Sequence, residues 1–193
     1  MPGLAEDEFI ILNYIDIKYA VDSEALKSSG LVSSNIVEDV LSRLKMRGYL
    51  KTEESLLTLT EEGQKALSSH RIEMLKALGS EAGEKLGEVS EKLNNVGYYL
   101  RFTVARHQLR ADGRVRILES LEEAHEEIKE ILEELSKLLP HFKQYLRRLG
   151  EALQRIKEGD DLYIVWNPNS YYNVYSEMRA DLAKLIEEDK RLR

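Results

Sequence analysis

The fold of the N-terminal third of the chain is decided by residues 41–67, LSRLKMRGYLKTEESLLTLTEEGQKAL. Gly48 can end a helix in the left-handed conformation, and the apolar residues before it recur at helical spacing: Val37, Val40, Leu41 and Leu44. Two short apolar runs, 49–51 and 56–59, flank the polar stretch 52–55, which is typical of a β-hairpin. Thr60 is a good N-cap for a following helix. The order helix, hairpin, helix predicts the core of a winged helix-turn-helix.

The residues before this stretch supply the remaining helices of such a domain. Between residues 4 and 20 one helical face is apolar and predicts a first helix: Phe9, Leu12, Ile15 and Tyr19. Asp22 and Ser23 offer a cap for a short second helix over residues 24–29, and Gly30 turns the chain. Ser33 then caps the third helix, which is the recognition helix of this fold.

The same stretch resembles the MarR-like winged-helix regulators, whose pattern is Leu-x-x-Leu-x-x-x-Gly-Tyr/Leu-Leu, a wing, and Leu-Thr-x-x-Gly-x-x-Leu. The matching residues are Leu41, Leu44, Gly48, Tyr49, Leu50, Leu59, Thr60, Gly63 and Leu67. The resemblance covers about a third of the chain and indicates fold better than function. It implies a DNA-binding transcriptional regulator.

The resemblance also implies where DNA would be contacted. A polar and partly basic surface is predicted on the third helix and the wing: Ser33, Ser34, Asn35, Ser42, Arg43, Lys45, Arg47 and Lys51. Aligned on Gly48, however, the family's base-reading positions fall at Asn35, Glu38 and Asp39, and two of these are acidic. The wing tip carries Glu53 and Glu54, where the family usually presents arginine.

Charge opposes DNA binding by this domain. Residues 1–68 contain seven Lys/Arg and twelve Asp/Glu, a net charge of −5, whereas cations that neutralise phosphates supply most non-specific DNA affinity. Two hypotheses therefore stand: a dimeric DNA-binding regulator, and a protein-interaction adaptor whose acidic winged helix docks a basic partner. The surface around Asn35, Glu38, Arg43 and Lys51 discriminates between them.

The rest of the chain, residues 69–193, is predicted to be a helical dimerisation region, so that the fold as a whole is mainly α. From 118 to 156 apolar residues keep a 3-4 alternation typical of coiled coils, with an apolar residue before each a position as well. A single helix of that length spans about 57 Å, and Pro140 is expected to kink it. Burying two faces of so long a helix within one chain is difficult, which predicts a homodimer.

An aromatic cluster near the C-terminus is a candidate effector pocket: Tyr163, Trp166, Tyr171, Tyr172 and Tyr175. The alternative is that these side chains fasten the last helix to a bundle. Residues 162–166 predict a short strand or extended crossover.

Five arginines gather between Arg101 and Arg116 against one acid, Asp112, a net charge of +4. They form either a site for a phosphate or an acidic partner, or a set of ion pairs with glutamates of the bundle.

Composition and motifs argue against several classes of protein: secreted, membrane-spanning, metal-binding and enzymatic. The chain of 193 residues has no cysteine, no run of about 20 apolar residues and no signal-peptide pattern, so a cytoplasmic protein that does not span a membrane is expected. Its four histidines lack metal-ligand spacing, and His125 reads as a hydrogen-bonded core residue. No phosphate loop or nucleophile motif is present, so no enzyme activity, cofactor or metal is predicted.

Overall fold

A computed structural model describes residues 3–193, which are mainly helical with a small three-stranded antiparallel sheet. They divide into two compact units. The first contains the residues up to Ala82 together with Lys184–Arg193, and the second contains Gly83–Ala183.

The first unit is built from four helices and three strands in chain order. They are α1 (Glu6–Lys18), β1 (Val21–Asp22), α2 (Ser23–Ser28), α3 (Ser34–Met46), β2 (Leu50–Glu53), β3 (Leu56–Leu59) and α4 (Glu61–Leu78). The strand order is β1-β3-β2, with β3 antiparallel to both neighbours. The helices and the hairpin expected from the sequence are all present, whereas the two-residue strand β1 was not predicted. The boundary expected at residue 68 lies within α4.

Local chemistry sets the ends of these elements. The Asp22 carboxylate accepts from the backbone N–H groups of the first turn of α2, and the Thr60 hydroxyl accepts from Gly63 N–H at 3.0 Å. The hairpin turn is shorter than the predicted stretch 52–55. Glu54 and Ser55 alone form it, both with positive φ, as in the type I′ turns that match the strand twist.

The helices and the sheet of this unit close over one apolar core, to which every element from α1 to α4 contributes. A single buried guanidinium fastens α1 to α4: Arg71 Nη2 lies 2.5 Å from Asn13 Oδ1 and 2.8 Å from Asp16 Oδ2. The buried apolar residues of the core are Phe9, Ile10, Ile11, Leu12, Tyr14, Ile15, Val21, Leu26, Leu31, Val37, Val40, Leu41, Leu44, Tyr49, Leu50, Leu57 and Leu67.

The second unit consists of long helices joined by short turns. It contains α5 (Ala82–Gln108), α6 (Arg114–Leu138), a 3-10 turn (Pro140–Phe142), α7 (Lys143–Lys157), α8 (Leu162–Val165) and α9 (Tyr171–Leu192), the ends of α5 and α9 belonging to the first unit. The strand or extended crossover predicted for residues 162–166 is wrong, because residues 162–165 form the short helix α8.

The prediction of one helix from 118 to 156 is also wrong, because the chain breaks rather than kinks at Pro140. Proline disfavours the helical conformation for the residue before it, and Leu139 is extended, with φ −130° and ψ 86°. As a result α7 runs back along α6: Lys157 Nζ lies 2.7 Å from Glu122 Oε1, and Arg114 Nε lies 3.0 Å from Asp161 Oδ1.

The helical hairpin of α6 and α7 covers the apolar stripe from which the dimer was predicted. Its buried residues face one another within a single chain: Ile117, Leu121, Ala124, Ile128, Ile131, Leu132, Leu135, Tyr145, Leu149, Ala152, Leu153 and Ile156. The length of a single helix therefore no longer argues for a second copy, and a dimer needs a different surface.

Helix α9 packs against α6 and α5 through two tyrosines. Tyr171 O–H lies 3.1 Å from His125 Nδ1 on α6, and Tyr175 O–H donates to the carbonyl of Leu93 on α5. Tyr175 approaches α5 so closely that a Cβ at Gly97 would meet its hydroxyl, which gives this helical glycine a packing role. Burial raises the pKa of Tyr175 to about 12.

A buried polar cluster joins α7 to α9. Arg148 Nη2 lies 2.8 Å from Glu177 Oε2, and both side chains are only 2% exposed. Tyr145 O–H donates to Asp181 Oδ2 at 3.0 Å, and His141 Nε2 lies 3.4 Å from the same oxygen. Burial and the neighbouring Asp181 carboxylate hold the pKa of Tyr145 well above its ordinary value, so that the phenol keeps its proton.

His125 makes stability depend on pH. Burial lowers the pKa of its imidazole below 6.5 in the folded chain, so the unfolded chain binds more protons just below neutral pH. The free energy of unfolding is therefore expected to fall as the pH drops through 6.5 toward the lowered pKa. His125→Gln keeps a hydrogen-bonding partner for Tyr171 but cannot titrate, so its stability should fall less over this range. Urea unfolding at several pH values measures the difference, and parallel curves for the two proteins would exclude this role.

Candidate interaction surface of the first unit

Helix α3 presents to solvent most of the polar residues predicted to contact DNA. Ser33, at the N-cap position without a side-chain cap bond, is exposed, as are Ser34, Asn35, Ser42 and Lys45. Glu38 and Asp39 lie on the same exposed side of the helix. Met46, at the last position of α3, is 81% exposed.

The two arginines of this candidate site are bound within the unit instead. Arg43 Nη2 lies 2.8 Å from Asp7 Oδ2, its Nε lies 3.5 Å from Glu8 Oε1, and its Nη1 pairs with Asp39. Arg47 Nη1 lies 2.6 Å from Glu8 Oε2, and its guanidinium stacks on Tyr49 with 4.6 Å between Cζ and the ring centroid. Both cations thus face the first turn of α1 and are neutralised there.

Glu8 holds these two arginines together. It is only 4% exposed, and its Oε2 also accepts from Ala5 N–H at 3.2 Å at the start of α1. A buried carboxylate needs charged partners and hydrogen bonds, and Arg43 and Arg47 supply them. Removing either guanidinium to a DNA phosphate would leave this carboxylate less well compensated.

The lysines around α3 are paired as well. Lys27 Nζ lies 2.6 Å from Glu38 Oε1 and 2.7 Å from Glu24 Oε1, and in the β-hairpin Lys51 Nζ lies 2.7 Å from Glu53 Oε1. The hydrogen bond from the Lys27 ammonium lowers the pKa of Glu38, so this carboxylate stays ionised at a lower pH than an ordinary glutamate does.

The resulting surface is acidic with a polar and apolar margin. Glu38, Asp39 and the hairpin-tip residues Glu53 and Glu54 are exposed, and Lys45 is the exposed cation of α3 that faces solvent rather than α1. Such a surface is complementary to a positively charged partner and repels phosphates.

The aromatic cluster proposed as an effector pocket is divided between core and surface. Tyr171 and Tyr175 are buried, Tyr163 and Tyr172 are half-buried, and Trp166 is 63% exposed. The two buried tyrosines hold α9 against α6 and α5. A cavity of about 450 Å³ in this unit is lined by Trp166 alone among the five, together with His107, Gln108, Arg110, Asp112, Arg114, Ile117 and Asp161.

Much of the arginine cluster between Arg101 and Arg116 is satisfied by aspartates rather than glutamates. Arg106 Nε lies 2.5 Å from Asp112 Oδ2, and Arg116 Nη1 lies 3.5 Å from Asp112 Oδ1. Arg114 pairs with Asp161 and donates to the carbonyl of Ile156. Arg101 and Arg110 remain exposed on α5 and in the turn that follows it.

Two further features bear on function within residues 3–193. No three histidine, aspartate or glutamate side chains lie close enough together to hold a metal ion. None of the helices described is both long and apolar enough to cross a bilayer.

No protein-family model, curated protein or solved structure matches the chain. Its function is therefore inferred from the surfaces and contacts above.

Proposed function

We propose that residues 4–78 form a winged helix-turn-helix and that this domain is a protein-docking adaptor for a basic partner. The element order of the first unit supports the domain assignment, since a helix, a short strand, two more helices, a β-hairpin and a last helix follow one another as in this fold. The sheet order β1-β3-β2 supports it further. Helix α3 takes the place of the recognition helix and the hairpin that of the wing.

One observation carries the choice of partner: the arginines of α3 are engaged by the carboxylates of α1, while the solvent side of α3 carries Glu38 and Asp39. DNA binding needs cations free to neutralise phosphates, and each phosphate contact contributes to the salt-dependent affinity. Here those cations already neutralise Asp7 and Glu8. A partner with exposed lysines or arginines can reach Glu38 and Asp39 without breaking the pairs of Asp7 and Glu8, because both carboxylates stay exposed although Lys27 and Arg43 already lie beside them.

A DNA-binding homodimeric regulator remains the second candidate, and a specific observation favours it. Ser34, Asn35, Ser42 and Lys45 are exposed on the helix that enters the major groove in winged-helix proteins. An amide can bind adenine in a bidentate manner, and a carboxylate such as Glu38 can accept from cytosine N4.

The two candidates predict opposite responses to the same substitutions. For the adaptor, Glu38→Gln with Asp39→Asn should weaken binding of a fluorescent ten-residue lysine/arginine peptide by about tenfold, because two carboxylates that attract the cations of the peptide are lost. Wild type should bind duplex DNA no more tightly than roughly 10⁻⁴ M at low salt, the weak end of non-specific binding. Fluorescence anisotropy with the peptide and mobility shift with duplex at two salt concentrations measure both.

The control is Glu126→Gln with Glu127→Gln, which removes two exposed charges from α6 in the other unit. If this pair weakens peptide binding as much as the α3 pair, the interaction is a general attraction to an acidic protein and the docking proposal fails. If Arg43→Ala and Arg47→Ala weaken tight duplex binding and flatten its salt dependence, by about one unit of slope for each lost phosphate contact, the regulator is correct instead.

A further inference from the structure

Helix α5 carries an exposed apolar stripe along the middle and end of its solvent side. Tyr98 is 72% exposed, Phe102 is 56% exposed and Leu109, just beyond the helix, is 79% exposed. With about 100° between successive residues, these three and Ala105 lie within about 60° of one another around the axis. Large side chains grouped in this way on a surface mark a contact with another molecule.

Charge is distributed unevenly along the same side of α5. Its first half presents Glu84, Glu88 and Glu91 beside the stripe, and its end presents Arg101, Arg106 and Arg110. By the same count Lys92 and Lys85 lie about 110° and 130° from the centre of the stripe, so they cancel the three glutamates only in part. Arg110 lies beyond the end of α5 with a positive φ, so the turn rather than the helical repeat places its side chain. The helix is therefore acidic at one end of this face and basic at the other, with aromatic residues between.

We infer that this face binds α5 of a second copy of the chain in antiparallel orientation. A two-fold axis at the height of Gly97, on the solvent side of α5 opposite Tyr175, places Glu84 opposite Arg110 of the second copy, and symmetry repeats the pair. The same axis places Glu88 opposite Arg106, which also keeps its own bond to Asp112. Under the same axis Tyr98 packs near its own counterpart, and Asn95 faces Tyr99. The contact extends over about 36 Å of helix, from Glu84 to the end of α5 at Gln108, with Arg110 just beyond it.

The arrangement of charge favours a second copy over other occupants. A nucleic acid or an anionic membrane would be attracted by the arginines but repelled by the three glutamates on the same face. A parallel pair of α5 helices would place like charges together at both ends. Only the antiparallel pair brings opposite charges together at both ends of the contact, and an isologous two-fold interface has this arrangement.

This surface replaces the one first expected for a dimer. The stripe on α6 and α7 is covered within the chain, whereas the stripe on α5 is exposed in it. The inference does not depend on the partner of α3, because a dimer forms whether that helix docks a protein or DNA.

Exchanging the charges of a proposed ion pair tests the antiparallel register of the two α5 helices. Wild type should have about twice the chain mass in sedimentation equilibrium, and Glu84→Arg should weaken the dimer about tenfold or more, because repulsion replaces attraction at two symmetric positions. Arg110→Glu should do the same, and the double variant should return to within about threefold of wild type. Glu123→Arg, an exposed position on α6, should leave the dimer unchanged.

Cross-linking tests the placement independently of charge. Because the chain contains no cysteine, Tyr98→Cys introduces a single thiol beside the proposed axis. Mild oxidation should convert it largely to a covalent dimer, and Glu123→Cys should not cross-link. A wild type that remains monomeric at high protein concentration overturns the inference. So does a dimer that neither responds to the charge exchange nor cross-links through position 98.

Discussion

Arg148→Met is expected to destabilise the second unit by about 3–5 kcal/mol, because it leaves the Glu177 carboxylate buried without its cation. Both side chains are 2% exposed and lie 2.8 Å apart, so water cannot replace the guanidinium without local opening. Methionine fills much of the space of the arginine stem, so the loss is one of charge compensation more than of packing. Urea unfolding followed by circular dichroism measures the change.

The double variant Arg148→Met with Glu177→Leu separates burial of a charge from loss of a favourable contact. A buried ion pair replaced by apolar side chains is often close to neutral, so the double variant should recover most of the lost stability. Arg147→Met is the matched control on the same helix, since Arg147 pairs with Glu151 at the surface and should change stability by less than about 0.5 kcal/mol. A small effect of Arg148→Met, similar to that of the control, would contradict the buried pair.

The burial of Arg148 shows where periodicity fails as a guide. The alternation through 118–156 places Leu146 on the apolar stripe, yet Leu146 is only half-buried while Arg148 is buried. The break at Leu139 and Pro140 changes the rotational phase between α6 and α7, and a residue count across it cannot detect that change. The ion-pair partner of Arg148, Glu177, lies on α9, about thirty residues away, where the local pattern is that of an ordinary amphipathic helix.

The candidate surface on α3 was predictable only in part, because local spacing is visible in the sequence and contacts with a distant helix are not. Spacing identified the helix and its exposed Asn35 and Ser42, because these depend on local amphipathicity. The sequestration of Arg43 and Arg47 depends on Asp7 and Glu8, whose position in the first turn of α1 reads locally as an interaction with the helix dipole. Only the packing of α1 against α3 turns those acids toward the arginines.

The hairpin and its flanking helices were the most predictable part of the first unit, since turn, cap and alternation signals agree there. Strand β1 was missed because two residues carry no periodic pattern. Val21 and Asp22 pair with Leu57 and Leu56 only after the chain has folded back, and Asp22 reads more strongly as the cap of α2.

Gly63→Ala is expected to destabilise the first unit by about 3 kcal/mol, because an added methyl group has no space. A Cβ at this position would lie 2.2 Å from the carbonyl oxygen of Tyr49, a backbone atom that cannot turn away. That oxygen accepts from Thr60 N–H at 3.0 Å, and the Thr60 hydroxyl in turn bonds the carbonyl of Gly48 at 2.6 Å. Moving Tyr49 therefore disturbs the start of β2 and the cap of α4 together.

Gly150→Ala is the matched control, because it also introduces a methyl group on a helix but meets no atom within 4 Å. It should stabilise the protein by up to about 1 kcal/mol through helix propensity. Thermal unfolding of both variants distinguishes a steric cost from a general effect of replacing glycine. If Gly63→Ala proves neutral, the carbonyl of Tyr49 can shift freely and the junction between hairpin and α4 is not tightly packed. If it is destabilising, the glycine of this motif is required by the close approach of two backbone segments.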